Sequence, residues 1–440
     1  MKGIQPMNIA LKNTDAHSKA SPWSTGQAAA SAKPNLTAAQ FNELQKRLDA
    51  IRADIESRVG DEDTAYLEAL VKVKDRLEQV GRLLIHFSLE PVSWSAGVAS
   101  LSLAHILENM EIGHNVIHGQ FDHASHAELN SEEYEWSLVG TAANWKRAHN
   151  YHHHRYTNII GQDTDYGFGV FRFSEEVEWK PIHLLQPVLV PLSGLFFEYA
   201  IALYDLQLTQ FLLPKKWRQE NAMPLLSGPE LRRELKEFLI KSGKLELKED
   251  VLLPLLAGLL APKVLAGNVS ARAIRNVWAF AVIYCGHLPD GNYTFTPEEA
   301  EAETRGQWYM RQILGSSNFE GGLLTHILSG HLSLQIEHHL FPDLPAWRYR
   351  EIAPKVREIC AEFNIPYQTG SLTGQLKTVA RRTLQYALPP VSKLPAWAQR
   401  LAGLLPTRAS ASSFRAAPQE SVAAEAVPAE PAVAPLKAVA

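Results

Sequence analysis

Seventeen histidines occur in the 440 residues, and thirteen of them crowd into three short stretches. Five lie between His105 and His126, four between His149 and His154, and four between His326 and His339. His287 stands alone, and only His17, His86 and His183 lie elsewhere. A buried imidazole costs free energy unless its nitrogens find partners, so such clusters cannot pack as an ordinary core. Any fold open to this chain must bring them polar partners or a metal, and imidazole suits first-row metals, iron included.

Long apolar stretches separate the clusters, over residues 83–107, 183–206, 251–265 and 274–288. The second contains QPVLVPLSGLFFEYAIALYDL, close to the ~20 residues that cross a ~30 Å hydrocarbon core. The last two are parted by Lys263 and Arg272 and read as a tight pair of spans or a re-entrant hairpin. The mean hydropathy of -0.16 would suit a soluble protein, but polar tails and extramembrane segments dilute the apolar runs. We therefore expect an all-α, membrane-embedded chain.

Composition excludes several functions. Lys and Arg number 43 against 47 Asp and Glu, a formal net charge of -4, without the basic surplus of a nucleic-acid binder. Cys285 and Cys360 are the sole cysteines, too few for a disulfide framework or a cysteine-held zinc or iron–sulfur site. The first twenty residues include Lys12, Asp15 and Lys19 and no apolar block, so no cleaved signal peptide is expected. Residues 1–37 and 406–440, rich in Ala, Ser, Pro and charged residues, read as disordered.

Residues 38–80 have helical periodicity. Phe41, Leu44, Leu48, Ile51, Ile55 and Val59 recur at spacings of three and four, as do Tyr66, Leu70, Val73 and Leu77. A helix pair covering a neighbouring surface is expected here, rather than a coiled-coil dimer. Residues 81–390 then form the membrane domain.

Within the clusters, spacing selects candidates. His114 and His118 are four apart, hence on one face of a helix. In HNYHHHRYTN, a regular helix puts His149, His152 and His153 on one face and His154 about 140° away. In GHLSLQIEHHLFPDLP, His331, Gln335, His338 and His339 could all face one way, and Glu337 would point elsewhere to orient a ligand. His105 reads as structural and His123 as lying beyond the helix. A ferritin-like di-iron bundle needs two Glu-x-x-His motifs, and only Glu111 to His114 supplies one. A His-Glu-x-x-His zinc motif is also absent.

HNVIH, HNYHHH and QIEHH resemble the three histidine boxes of the membrane fatty-acid desaturases. ENMEIGHNVIHGQFDH, TNIIGQDTDYGFGV, CGHLPDG and QIEHHLFPDLPAWRYREIAPKVR resemble the bacterial acyl-CoA desaturase branch in particular, and the likeness covers roughly residues 40–385. The resemblance implies a bundle of about four transmembrane helices with a cytosolic helical cap, two irons, and O2 as co-substrate. It assigns His114, His118, His287, His338 and His339 to the metals. In the second box it aligns His149, His153 and His154, where helical geometry favoured His149, His152 and His153, so all four are carried. Gln335 takes a place often held by a ligand, and Gln335 and Glu337 are expected to support the ligands. Relatives usually have Gly-Asn at Gly330-His331, which leaves the role of His331 open.

The implied activity is oxygen-dependent introduction of a cis double bond into a fatty acyl chain, as acyl-CoA or acyl-lipid. The alternatives are a lipid or alkane hydroxylase of the same superfamily and, in another class, a membrane metal transporter. No cytochrome b5 signature, cysteine cluster or G-x-G-x-x-G run is present, so electrons should come from a separate ferredoxin, cytochrome b5 or NAD(P)H-dependent reductase. The resemblance places such an enzyme in the bacterial inner membrane with its active site facing the cytoplasm. Charge balance around neutral imidazoles would fall to Glu111, Asp163, Asp165 or Glu337. Lys146, Arg147 and Arg155 are positional candidates for a CoA phosphate.

Overall fold

The computed structural model describes residues 33–390 apart from 125, 127, 164, 213 and 215–222. The expectations for residues 406–440, and for most of 1–37, lie outside the described residues. The described chain is mostly helical, and its one two-stranded sheet pairs Asn318–Glu320 in parallel with Thr369–Ser371, Phe319 opposite Gly370.

Helix Ala38–Glu56 starts on a capping box in which Thr37 accepts from the Gln40 amide and the Gln40 side chain accepts from the Thr37 amide. Its buried stripe of Phe41, Leu44, Leu48, Ile51 and Ile55 packs on Tyr309, Ile313, Leu340 and Ile352. The helix therefore lies over the elements that carry the third histidine cluster. Its polar edge is laced to helix Tyr349–Glu362 by Arg47–Glu362 and Asp54–Lys355, and Arg58, just past its end, pairs with Glu351.

Helix Asp61–Phe87 has no break at residue 80, so one helix carries both the amphipathic segment and the start of the first apolar stretch. The chain turns at Ser88–Glu90 and returns as helix Pro91–Ile106. The two helices cross where glycines let the backbones approach. A Cβ on Gly81 would stand 2.7 Å from the Leu101 amide nitrogen, and one on Gly97 2.9 Å from that of Ile85. Helix Ala261–His287 joins this pair through Gly267, whose added Cβ would meet Ile85 at 2.7 Å. It runs unbroken through Lys263 and Arg272, so the expected separation of two short apolar segments there does not hold. An α-helix keeps its backbone hydrogen bonds whatever the side-chain charge, and Arg272 finds acceptors on Glu246 and Asp250.

Among the described residues no single helix is long and apolar enough to cross a membrane. One pair, Pro181–Leu195 and Phe197–Asp205, passes by length and composition but is bent by 102°. The expected count of about four transmembrane helices is not established by these elements. Apolar side chains nevertheless stand exposed together at one end of the bundle. Phe87, Leu89 and Val92 sit at the first hairpin's tip, and Leu255, Leu256 and Leu259 beside the start of Ala261–His287. The Trp94 indole donates to the Lys263 carbonyl at 3.2 Å, which holds the two tips side by side.

Candidate metal centre

The first cluster sits where helix Pro91–Ile106 widens into a π-helical stretch, Leu107–Gly113, and re-forms as His114–Ile117. The second lies on another π-helical stretch, Lys146–His153, followed by His154–Tyr156. A π-turn bonds residue i to i+5 and so turns less per residue than an α-helix. Residues 149, 153 and 154 thereby come to the same side, and His152 turns away. His152 stacks on Tyr156 with ring centroids 5.9 Å apart and meets the Tyr151 ring edge-on at 5.1 Å. The regular-helix choice of His149, His152 and His153 is corrected accordingly.

The third cluster departs from the sequence reading too. Gly330 and His331 both have positive φ, 67° and 55°. A Cβ on Gly330 would fall 2.3 Å from the Met110 carbonyl oxygen, so only glycine fits there. A short 3-10 turn follows, and the helix proper is Gln335–Leu340. His331 therefore does not share a helical face with Gln335, His338 and His339. Its Nδ1 faces both oxygens of Glu111 at 3.0 Å, and Tyr66 donates to the same carboxylate at 2.6 Å.

Two groups of imidazoles result. His114, His118, His149 and His338 place one ring nitrogen each within 4.8 Å of one another, and so do His153, His287 and His339. In the second group the three Nε2 atoms are 3.0–3.3 Å apart. The His154 ring lies between the groups, 4.8 Å from His118 and His338 and 4.5 Å from His339 by centroid. Residues far apart in sequence thus converge on two adjacent points.

The outer nitrogens are held. His149 Nδ1 contacts Asp165 at 2.8 Å and His153 Nδ1 contacts Asp163 at 2.9 Å. His339 Nδ1 contacts the Gln312 amide oxygen at 3.1 Å, His114 Nδ1 that of Asn115 at 3.0 Å, and His287 Nδ1 the Gly315 carbonyl at 3.3 Å. An acceptor at Nδ1 keeps the proton there and leaves Nε2 as a bare lone pair facing the centre. Burial and the neighbouring rings hold His118, His154, His338 and His339 well below the ordinary imidazole range, hence neutral. His114 is pushed down to about 3 by the same causes. Burial acts on His153 in that direction too, but the carboxylates of Asp163 and Asp165 outweigh it and raise its affinity for protons.

These residues fit a pair of metal ions. The Nε2 atoms of His118, His149 and His338 and both nitrogens of His154 are buried without a partner, and in the second group bare Nε2 atoms face one another. So many unmet acceptors are costly unless cations take them. Gln335 stands at the rim, its Nε2 3.0 Å from His287 Nε2 and its Oε1 unpartnered. Glu337 points away, accepting from Tyr367 at 2.9 Å and Asn318 at 2.8 Å, and burial pushes it up to about 7. Of the candidate carboxylates, Asp163 and Asp165 touch the histidine groups directly. Lys146, Arg147 and Arg155 are taken up by the Ser131 carbonyl, the Asp205 carbonyl and the Tyr151 hydroxyl. Gln312 and Asn115, which sequence reasoning missed, carry no motif and are found only by their contacts.

A narrow apolar cavity opens on both groups. His114, His149, His153, His287 and Gln335 line one part, and Met110, Trp145, Phe168, Phe197, Ile201 and Tyr284 form much of the rest. An apolar cavity ending at two buried groups of imidazoles suits oxidation of an alkyl chain.

The chain matches the Fatty acid desaturase family over residues 92–371. It belongs to the fatty acid desaturase family. It is 39% identical over 360 residues to an NADPH-dependent stearoyl-CoA 9-desaturase of Mycobacterium tuberculosis, over 81% of this chain and 82% of the relative. An sn-1 linoleoyl-lipid 6-desaturase of Synechocystis is 26% identical over 329 residues, covering 74% of this chain and 89% of that one. Fatty acid desaturase 3 of Homo sapiens is 32% identical over 120 residues, 27% of this chain and 25% of the relative. The enzyme is accordingly a fatty acyl desaturase, an oxidoreductase.

Proposed function

We propose that this desaturase places a cis double bond in the chain of a saturated fatty acyl-CoA. The convergence of buried imidazoles beside an apolar cavity carries this reading, and the stearoyl-CoA 9-desaturase relative supports the acyl-CoA form of the substrate. His114, His118, His149 and His338 would hold one iron, and His153, His287 and His339 the other, with His154 between them. Bound iron with O2 supplies the oxidising power that no side chain has against an unactivated methylene. Two hydrogens from neighbouring carbons, with two electrons and two protons from the donor, reduce O2 to two waters.

The chain's own residues position and exclude. Asp165 and Asp163 fix the tautomer and orientation of His149 and His153 and balance cationic charge. The apolar walls align the alkyl chain and keep water from the reacting carbons. Electrons arrive from a separate carrier, ultimately from NAD(P)H. The exposed apolar tips enter the lipid of the bacterial inner membrane, with the histidine groups toward the cytoplasm.

Expression in a host lacking unsaturated-lipid synthesis tests the reading. Mass spectrometry should find a monounsaturated acyl chain with one dominant double-bond position, which His149→Ala and His338→Ala abolish while the protein stays in the membrane. An oxygen-inserted product in place of the double bond would refute it.

A further inference from the structure

Beyond the histidines, the apolar cavity closes against polar groups that the reaction does not use. The Ala261–His287 helix lines it with His287, Tyr284, Ile283 and Asn276. At about 1.5 Å rise per residue, Asn276 lies about 16 Å along the axis from His287. Glu198 and Asn109 also line the cavity.

These groups are tied together. Arg275 pairs with Glu198 at 2.5 Å, both side chains 2% exposed. Asn276 Oδ1 accepts from Arg275 at 3.0 Å, and its amide donates to the Leu195 carbonyl at 3.2 Å. Glu198 Oε2 is buried and has no partner. Behind Arg275 lies a second cavity of about 340 Å³, lined by Lys74, Arg82, His105, Glu108, Glu249 and Arg272 as well as Arg275. Trp136 borders both cavities. The Glu198–Arg275 pair is thus a partition between an apolar space and a polar one. Charges buried among helices of apolar surface are costly to desolvate, and their presence there calls for a function.

We propose that Glu198, Arg275 and Asn276 form a polar stop for the methyl end of the acyl chain, and so select chain length and the carbons that lie at the histidine groups. The inference rests on the reading that this cavity holds the alkyl chain. A longer chain would have to displace Arg275 and enter a polar cavity, where its methylenes gain nothing. A shorter one forfeits burial, at about fourfold in affinity per methylene.

The test uses the full chain, a Glu198→Leu/Arg275→Leu double variant, and Asn276→Phe. The double change removes both charges together and so leaves neither buried alone, which favours folding. Each protein is given a ladder of saturated acyl-CoAs differing by two carbons. Product is measured by mass spectrometry, and thermal stabilisation by the same ladder is measured without oxygen. The stop predicts that the double variant shifts its optimum to longer chains by at least two carbons, and Asn276→Phe to shorter ones, in both readouts. Unchanged optima in folded variants would overturn it, as would a wild type that no acyl-CoA stabilises. A wild type that is stabilised but forms no double bond would sink the acyl-CoA desaturase reading alone, and the stabilisation ladder would still decide the stop.

Discussion

At the scale of single residues, the second histidine box shows how a change of helical pitch redirects chemistry. His152 and His154 are two positions apart, and the π-helical stretch sends His154 between the two histidine groups and His152 against Tyr156. His154→Ala should lower bound iron and abolish desaturation, whereas His152→Ala should keep its iron and stay within a few-fold of wild-type rate; elemental analysis and turnover on the same preparation check both. Asp163 acts one step further out. Asp163→Asn keeps the shape but weakens the acceptor on His153 Nδ1, and should cost about 10–100-fold in iron affinity or activity. His331 follows a different logic. It braces Glu111, which also holds Tyr66, so His331→Asn should reduce thermal stability with little loss of bound iron.

At the scale of elements, the N-terminal helices are clamped over the third box by one buried ion pair. Arg348 donates to Asp63 at 2.6 and 2.9 Å, and the Trp347 indole joins at 2.9 Å. Asp63→Ala would leave Arg348 only its longer ion pairs to Glu62 and Glu351, at 3.6 and 3.7 Å, and the Arg58 carbonyl, a loss below the about 3–5 kcal/mol of a fully orphaned buried charge and read as a lower Tm. Neutralising the exposed Arg47–Glu362 pair should cost at most about 1 kcal/mol. Burial alone would raise the Asp63 carboxyl, but the Arg348 guanidinium and the Gly60 amide outweigh it and hold it below the usual carboxylate range. Its stabilisation is therefore complete above the unfolded value of about 4 and fades as pH falls below that. Thermal melts of wild type and Asp63→Asn should converge in acid, and parallel curves at every pH would refute the assignment. The spacing of Phe41, Leu44, Leu48, Ile51 and Ile55 already announced helix Ala38–Glu56, because a 3.6-residue repeat is local. The partner of Asp63 was not legible, since Arg348 lies 285 residues away.

At the scale of the whole molecule, the histidine groups tie together segments spread between residues 114 and 339. Metal that binds only the folded state adds stability by mass action, about 2.7 kcal/mol at a hundredfold excess over Kd. Chelation should thus lower Tm, and anaerobic Fe(II) should restore it. Insertion of the apolar tips predicts that the enzyme stays with membranes after an alkaline carbonate wash. The sequence by itself determined the helical class, the amphipathic N-terminal helix and the family, because periodicity and motif spacing are written in neighbouring residues. Tertiary structure alone decided which second-box ring turns inward, that His331 leaves the third helix, that residues 261–287 form one helix, and where the cavity ends. Those outcomes depend on π-turns, left-handed backbone and side-chain partners supplied by distant segments, none of which a local pattern encodes.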